Sequence, residues 1–257
     1  MLPLASLFST PDPAAAVKSG NRFLVAALLV TLLLWNVPYG WIALYPFKLF
    51  ATWLHESSHG VTMLLLGAGF GRMEIFQDTS GLAFPEQGVT KAAQAAISSS
   101  GYMGTAFFGA VFLVLGRTPR GARAVLFVLG AAMIASAALY IRNFFGIQAI
   151  TAGGALLMLT AWRTGEGACG FLVNLLAAQS CINAVLDIRV LFGATMYVNG
   201  LPHGQSDAQT VSRVVGGATW MWAGLWLMWS FALFYASLRA VRLREADAAA
   251  ETVTTTA

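Results

Sequence analysis

The chain has 257 residues, 58% of them hydrophobic and only 10% charged. A soluble globular domain carries roughly a quarter charged residues, so this chain has too few to solvate its surface, which excludes a soluble domain and points to a polytopic membrane protein. The formal net charge of +4 then speaks of Lys and Arg at a membrane face. The two cysteines, Cys169 and Cys181, lack the C-x-x-C spacing of a redox or thiolate site and read as small buried hydrophobes.

In chain order, residues 1–21 hold several prolines and neither the basic start nor the cleavage site of a secretory signal, so a flexible tail is expected. A first apolar segment runs from Phe23 to about Tyr45 and should kink or split at Asn36-Val37-Pro38, because proline donates no backbone hydrogen bond. A second, about Pro46 to Gly67, follows. The next stretch is rich in glycine and predicts two short strands, Arg72–Gln77 and Gly81–Pro85, joined at Asp78-Thr79-Ser80-Gly81. Such a hairpin must line a cavity or sit at the surface, since its edges would be unsatisfied in lipid. Apolar segments then lie at about 93–115, 122–141, 145–162, 168–192 and 214–238, with a polar loop over 193–213. The expected fold is an all-α polytopic membrane protein of six to seven transmembrane helices with one small β-hairpin, occupying residues 22–240, and a disordered tail at 241–257. Arg117, Arg120, Arg123, Arg163, Arg239, Arg242 and Arg244 fall on one side of this layout, which should be cytoplasmic.

The second segment contains Trp53-Leu54-His55-Glu56-Ser57-Ser58-His59-Gly60. Residues four apart share a helix face, so His55 and His59 can reach one zinc ion. Glu56, about 100° further round, is free to take a proton from metal-bound water. A catalytic zinc site needs a third protein ligand and one open position. Asp12 and Asp247 lie in tails, Asp78 in the hairpin and Asp207 in the polar loop, which leaves Asp187 in the 168–192 segment. A carboxylate at membrane depth costs at least about 2.5–3.5 kcal/mol, and Arg189, two residues on, faces away from it. Two readings of Asp187 stand: a zinc ligand, or a carboxylate at a helix end with no further role. Asn183, one turn earlier, either orients that ligand or serves as interhelical glue. His203 reads as an exposed loop histidine, and the tryptophans at 220, 222, 226 and 229 as membrane packing or an interfacial belt.

His55-Glu56-x-x-His59 in a membrane helix, the glycine-rich hairpin, Ser100-Gly101-Tyr102-Met103-Gly104 and Asn183-x-x-x-Asp187 together resemble the site-2 protease family, in particular its small, poorly characterised bacterial and plant branch. The resemblance covers about residues 46–210. It implies a Zn2+ ion within the bilayer held by His55, His59 and Asp187, with Glu56 as the base that activates water. Better-known members place the aspartate in Leu-Asp-Gly preceded by Asn and Pro; here Ile188 follows Leu186-Asp187 and no proline precedes it. The implied protein is a multi-pass zinc metalloendopeptidase of a bacterial cell membrane, with a membrane protein as substrate, the lipid bilayer as its setting and no nucleic-acid partner. Two rivals keep the same residues: an inactive scaffold of this fold, and a metal or ion transporter. A transporter should show inverted repeats, and none is visible.

Overall fold

The computed structural model describes the backbone of residues 13–191, 197–202 and 204–256, and the side chains of residues 23–180, 197–202 and 204–241. In chain order the elements are α1 (Pro13–Asn36), α2 (Gly40–Leu65), β1 (Phe70–Ile75), β2 (Gly81–Pro85), α3 (Lys91–Leu115), α4 (Pro119–Leu139), α5 (Phe144–Arg163), α6 (Glu166–Leu191), β3 (Tyr197–Val198), β4 (Leu201–Pro202), α7 (Asp207–Val215) and α8 (Thr219–Thr256). This is the expected helical membrane architecture with very little sheet. Among the described residues, α3, α4, α5 and the Thr219–Val241 part of α8 are long and apolar enough to cross a membrane. That is four, against the six to seven expected. The described part of α1, Phe23–Asn36, is shorter, and α2 interrupts its apolar run with His55, Glu56, Ser57, Ser58 and His59.

The first apolar segment does split at Pro38, with Tyr39 in the left-handed region at φ 63°. Pro46, expected to open the second segment, instead lies inside α2. It falls early in the helix, where it removes a single hydrogen bond, and the buried Leu44, Leu49, Phe50, Trp53 and Leu54 keep the helix docked. Helix also continues to Thr256 through the Ala-rich stretch expected to be disordered; alanine is the best helix former. The polar loop of 193–213 is more structured than its composition implies, holding β3, β4 and α7.

The strands of the first hairpin pair antiparallel, Met73 opposite Ala83 and Ile75 opposite Gly81. The other edge of β1 is covered: Met73 N–H donates to the Tyr140 carbonyl at 2.8 Å and Arg142 N–H to the Met73 carbonyl at 3.1 Å. Asn143 then mimics a strand residue. Its Oδ1 accepts from Ile75 N–H at 3.1 Å and its Nδ2 donates to the Ile75 carbonyl at 2.5 Å. An edge paired in this way presents no unsatisfied backbone to lipid.

The buried core joins Phe50, Trp53 and Met63 of α2 to Phe112 and Leu113 of α3, Leu126 and Met133 of α4, and Val173 and Leu176 of α6. Large apolar side chains remain exposed on the outer faces, among them Leu33, Val128, Leu156, Trp162 and Phe231. In water this would be an aggregation surface; in a bilayer it is the lipid-facing one.

Candidate metal centre

Helix α2 carries the histidines where the pattern put them. Their rings meet edge to face, 4.6 Å between centroids. The His59 Nδ1 lies 2.6 Å from the Ile97 carbonyl of α3. A carbonyl only accepts, so Nδ1 carries the proton and Nε2 keeps its lone pair for a ligand bond. The Nε2 atoms of both histidines converge on Oδ2 of Asp207, at 3.1 Å from His55 and 3.4 Å from His59. One ligand atom from each of these residues lies within 4.8 Å of the others. Ligands about 2.0–2.1 Å from a tetrahedral zinc stand roughly 3.3 Å from one another, so two imidazoles and one carboxylate at these separations fit that ion and leave a fourth position open.

Close approach of α3 to α2 depends on Gly101. A Cβ there would fall 2.3 Å from Nε2 of His55 and 2.6 Å from Cε1 of His59. The next residue, Tyr102, sets its ring edge-on to His55 at 4.7 Å and stacks on Trp226 of α8 at 5.3 Å. Ala208 and Val211 of α7 are buried in the same cluster, which carries the start of α7 to the histidines. Ser206 caps that helix through a reciprocal capping box with Gln209, and Asp207 is its first residue.

Glu56 is buried, 6% exposed, in the electrostatic field of His59, His55 and Asp207. The hairpin packs directly on it: a Cβ on Gly81 would lie 2.7 Å from the Glu56 Cγ and 3.0 Å from its Oε1. Ser58 spends its hydroxyl on the Leu54 carbonyl at 2.7 Å, a helix-internal bond.

His55, Glu56 and His59 therefore come together as the sequence implies. Asp187 and Asn183 lie on α6 where the side chains fall outside the described residues, and His203 lies outside them altogether. The carboxylate that meets the pair is Asp207, from the stretch whose composition predicts a polar loop. Its signal was the capping box Ser206-Asp207-Ala208-Gln209 followed by Val211, which marks a helix start with an acid at its first position. Of the four tryptophans, Trp226 is a buried member of the site's wall, whereas Trp220 is 63% exposed.

A family model for Peptidase M50B-like proteins matches residues 24–237, from α1 to α8. The chain belongs to this family. The M50B-like proteins are part of the site-2 protease family, and their poorly characterised branch fits this chain. The M50 family consists in general of zinc-dependent metalloproteases, and this M50B-like chain is an integral membrane protein. The matched span contains the histidine helix, both hairpins and α7. No curated protein and no solved structure matches it.

Proposed function

We propose that this M50B-like chain is a zinc-dependent intramembrane endopeptidase, with His55, His59 and Asp207 as ligands and Glu56 as general base. The observation that carries the reading is the convergence of both Nε2 atoms on one Asp207 oxygen, with Glu56 buried beside them. When bound, zinc supplies an acidified water and polarises the scissile carbonyl. Glu56 takes the water proton as the oxygen bonds to the carbonyl carbon, then delivers it to the leaving amine nitrogen as the C–N bond breaks. The Ile97 carbonyl holds His59 in the right tautomer throughout. The substrate is a transmembrane or membrane-proximal segment of another membrane protein, locally unwound so that a peptide bond reaches the centre. The setting is a bacterial cell membrane, as the resemblance to the bacterial branch suggests.

The test is a paired measurement on detergent-purified protein. Glu56→Gln should retain wild-type zinc and lose about 10²–10⁴-fold in the rate of cleavage of a membrane substrate. Cleavage at the wild-type rate would remove Glu56 as the base. Zinc without turnover in the wild type would turn the reading to an inactive scaffold.

A further inference from the structure

The candidate centre joins two parts of the chain that are 152 residues apart, and the Tyr102–Trp226 cluster packs against α7. A second tether, earlier in the segment that leads to α7, runs to the turn of the first hairpin. Asp78 Oδ2 accepts the Gly200 N–H at 3.0 Å, and Ser80 Oγ accepts the Asn199 N–H at 3.1 Å. Asn199 and Gly200 are the central residues of the β3–β4 turn, at φ 51° and 71°. Two successive left-handed residues make the twisted turn that suits a tight hairpin. Here they also present consecutive amides to the Asp78–Ser80 acceptors. Asp78 Oδ1 presets those acceptors, taking hydrogen bonds from the Ser80 N–H at 3.0 Å and the Ser80 hydroxyl at 2.5 Å.

The same turn is fastened to the histidine helix. Thr52 Oγ1, one turn before Glu56, donates to the Thr79 carbonyl at 2.5 Å. Tyr45 donates its hydroxyl to the Gln77 carbonyl at 2.7 Å. Gly81 closes the contact on Glu56. A short segment of five residues, Gln77 to Gly81, thus grips α2 on one face and, on the other, the loop that leads into Asp207.

We propose that Asp78 is a positioning residue for the metal centre: by holding the Asn199–Gly200 turn to the first hairpin, it sets where Asp207 meets His55 and His59. This rests on the reading of Asp207 as a metal ligand. The latch and the metal bridge the same gap between α2 and the α7 segment, so each favours the other, and the coupling is reciprocal. Residues that orient a metal ligand without touching the metal commonly change affinity 10–100-fold when lost. Asp78 is exposed, which places the expected effect at the low end.

The experiment uses full-length protein in detergent, titrated with zinc against a chelator, and with cobalt as a spectroscopic probe of the coordination. Asp78→Ala should weaken zinc about tenfold and shift the cobalt spectrum while helix content holds. Asp78→Asn keeps one acceptor and should fall between. In an Asp207→Ala background, Asp78→Ala should weaken the residual affinity no further, because its route to the metal is gone. Wild-type affinity in Asp78→Ala, or an equal loss in the Asp207→Ala background, would overturn the proposal. If Asp78→Ala fails to fold, Asp78→Asn and Ser80→Ala carry the same test, each removing fewer contacts. A wild type without zinc, or Asp207→Ala with full affinity, would instead bring down the assignment of the site, and neither measurement involves Asp78.

Discussion

His55 and His59 stand on one face of a 26-residue helix whose neighbours Trp53 and Leu54 are core residues. Asp207 opens a nine-residue helix that reaches the centre through the Tyr102–Trp226 stack and the Asn199–Gly200 turn. One half of the centre is preset by its own helix and by burial. The other half is delivered by tertiary tethers, several of them at the surface. On the proposed reading, a site built this way keeps its histidine pair aligned whatever the loop does, and adjusts its metal affinity through the loop. The two halves should therefore respond differently to substitution.

The largest effect belongs to the preset half. His59→Ala removes one of the two convergent nitrogens and should bring both zinc retention and cleavage to background, read by metal analysis and a cleavage assay. On the tethered half, Trp226→Ala removes a side chain that is 3% exposed and should cost about 3 kcal/mol. It should also loosen zinc, because α7 loses the surface it packs on; thermal unfolding with and without added zinc separates the two effects. Gly101→Ala returns to the preset half. Its Cβ collides with both imidazoles, and overpacking of this kind costs about 1–3 kcal/mol, with weakened zinc as its companion. Gly81→Ala should be smaller and of another kind: it pushes on Glu56, so kcat should fall about tenfold with zinc content unchanged.

The smallest effect is a pH dependence at the latch. Burial raises the Asp78 carboxyl, but hydrogen bonds from the Ser80 hydroxyl and the Ser80 and Gly200 amides outweigh it, and the group ends below its ordinary value. A depressed carboxyl stabilises the fold above its unfolded pKa of about 3.9, and that contribution is lost as pH falls through the folded value. The acid side of the stability profile should therefore flatten in Asp78→Asn, measured by thermal unfolding from neutral pH downward.

The same contrast governs what could be read from the sequence. The histidine pair and Glu56 were legible because helical periodicity is local: spacing alone places i and i+4 on one face. The first hairpin was legible for a similar reason, with glycines and Asp78-Thr79-Ser80-Gly81 marking its turn. Asp207 was legible only as a helix start, through its capping box; its approach to the histidines depends on an aromatic stack between α3 and α8 and on a turn gripped by a distant hairpin, and neither leaves a local pattern. The cost of membrane depth singles out Asp187, whose side chain lies outside the described residues, whereas Asp207, within a stretch of polar composition, lies at a capped helix start against two imidazoles. Pro46 taught a related lesson, that a helix docked by five buried neighbours tolerates one missing hydrogen bond.

The most direct test sets Asp207→Ala beside Asp187→Ala and measures zinc per protein in each, purified in detergent. The arrangement of His55, His59 and Asp207 predicts that Asp207→Ala loses zinc while Asp187→Ala keeps the wild-type content. Full zinc in Asp207→Ala, with loss in Asp187→Ala, would contradict it.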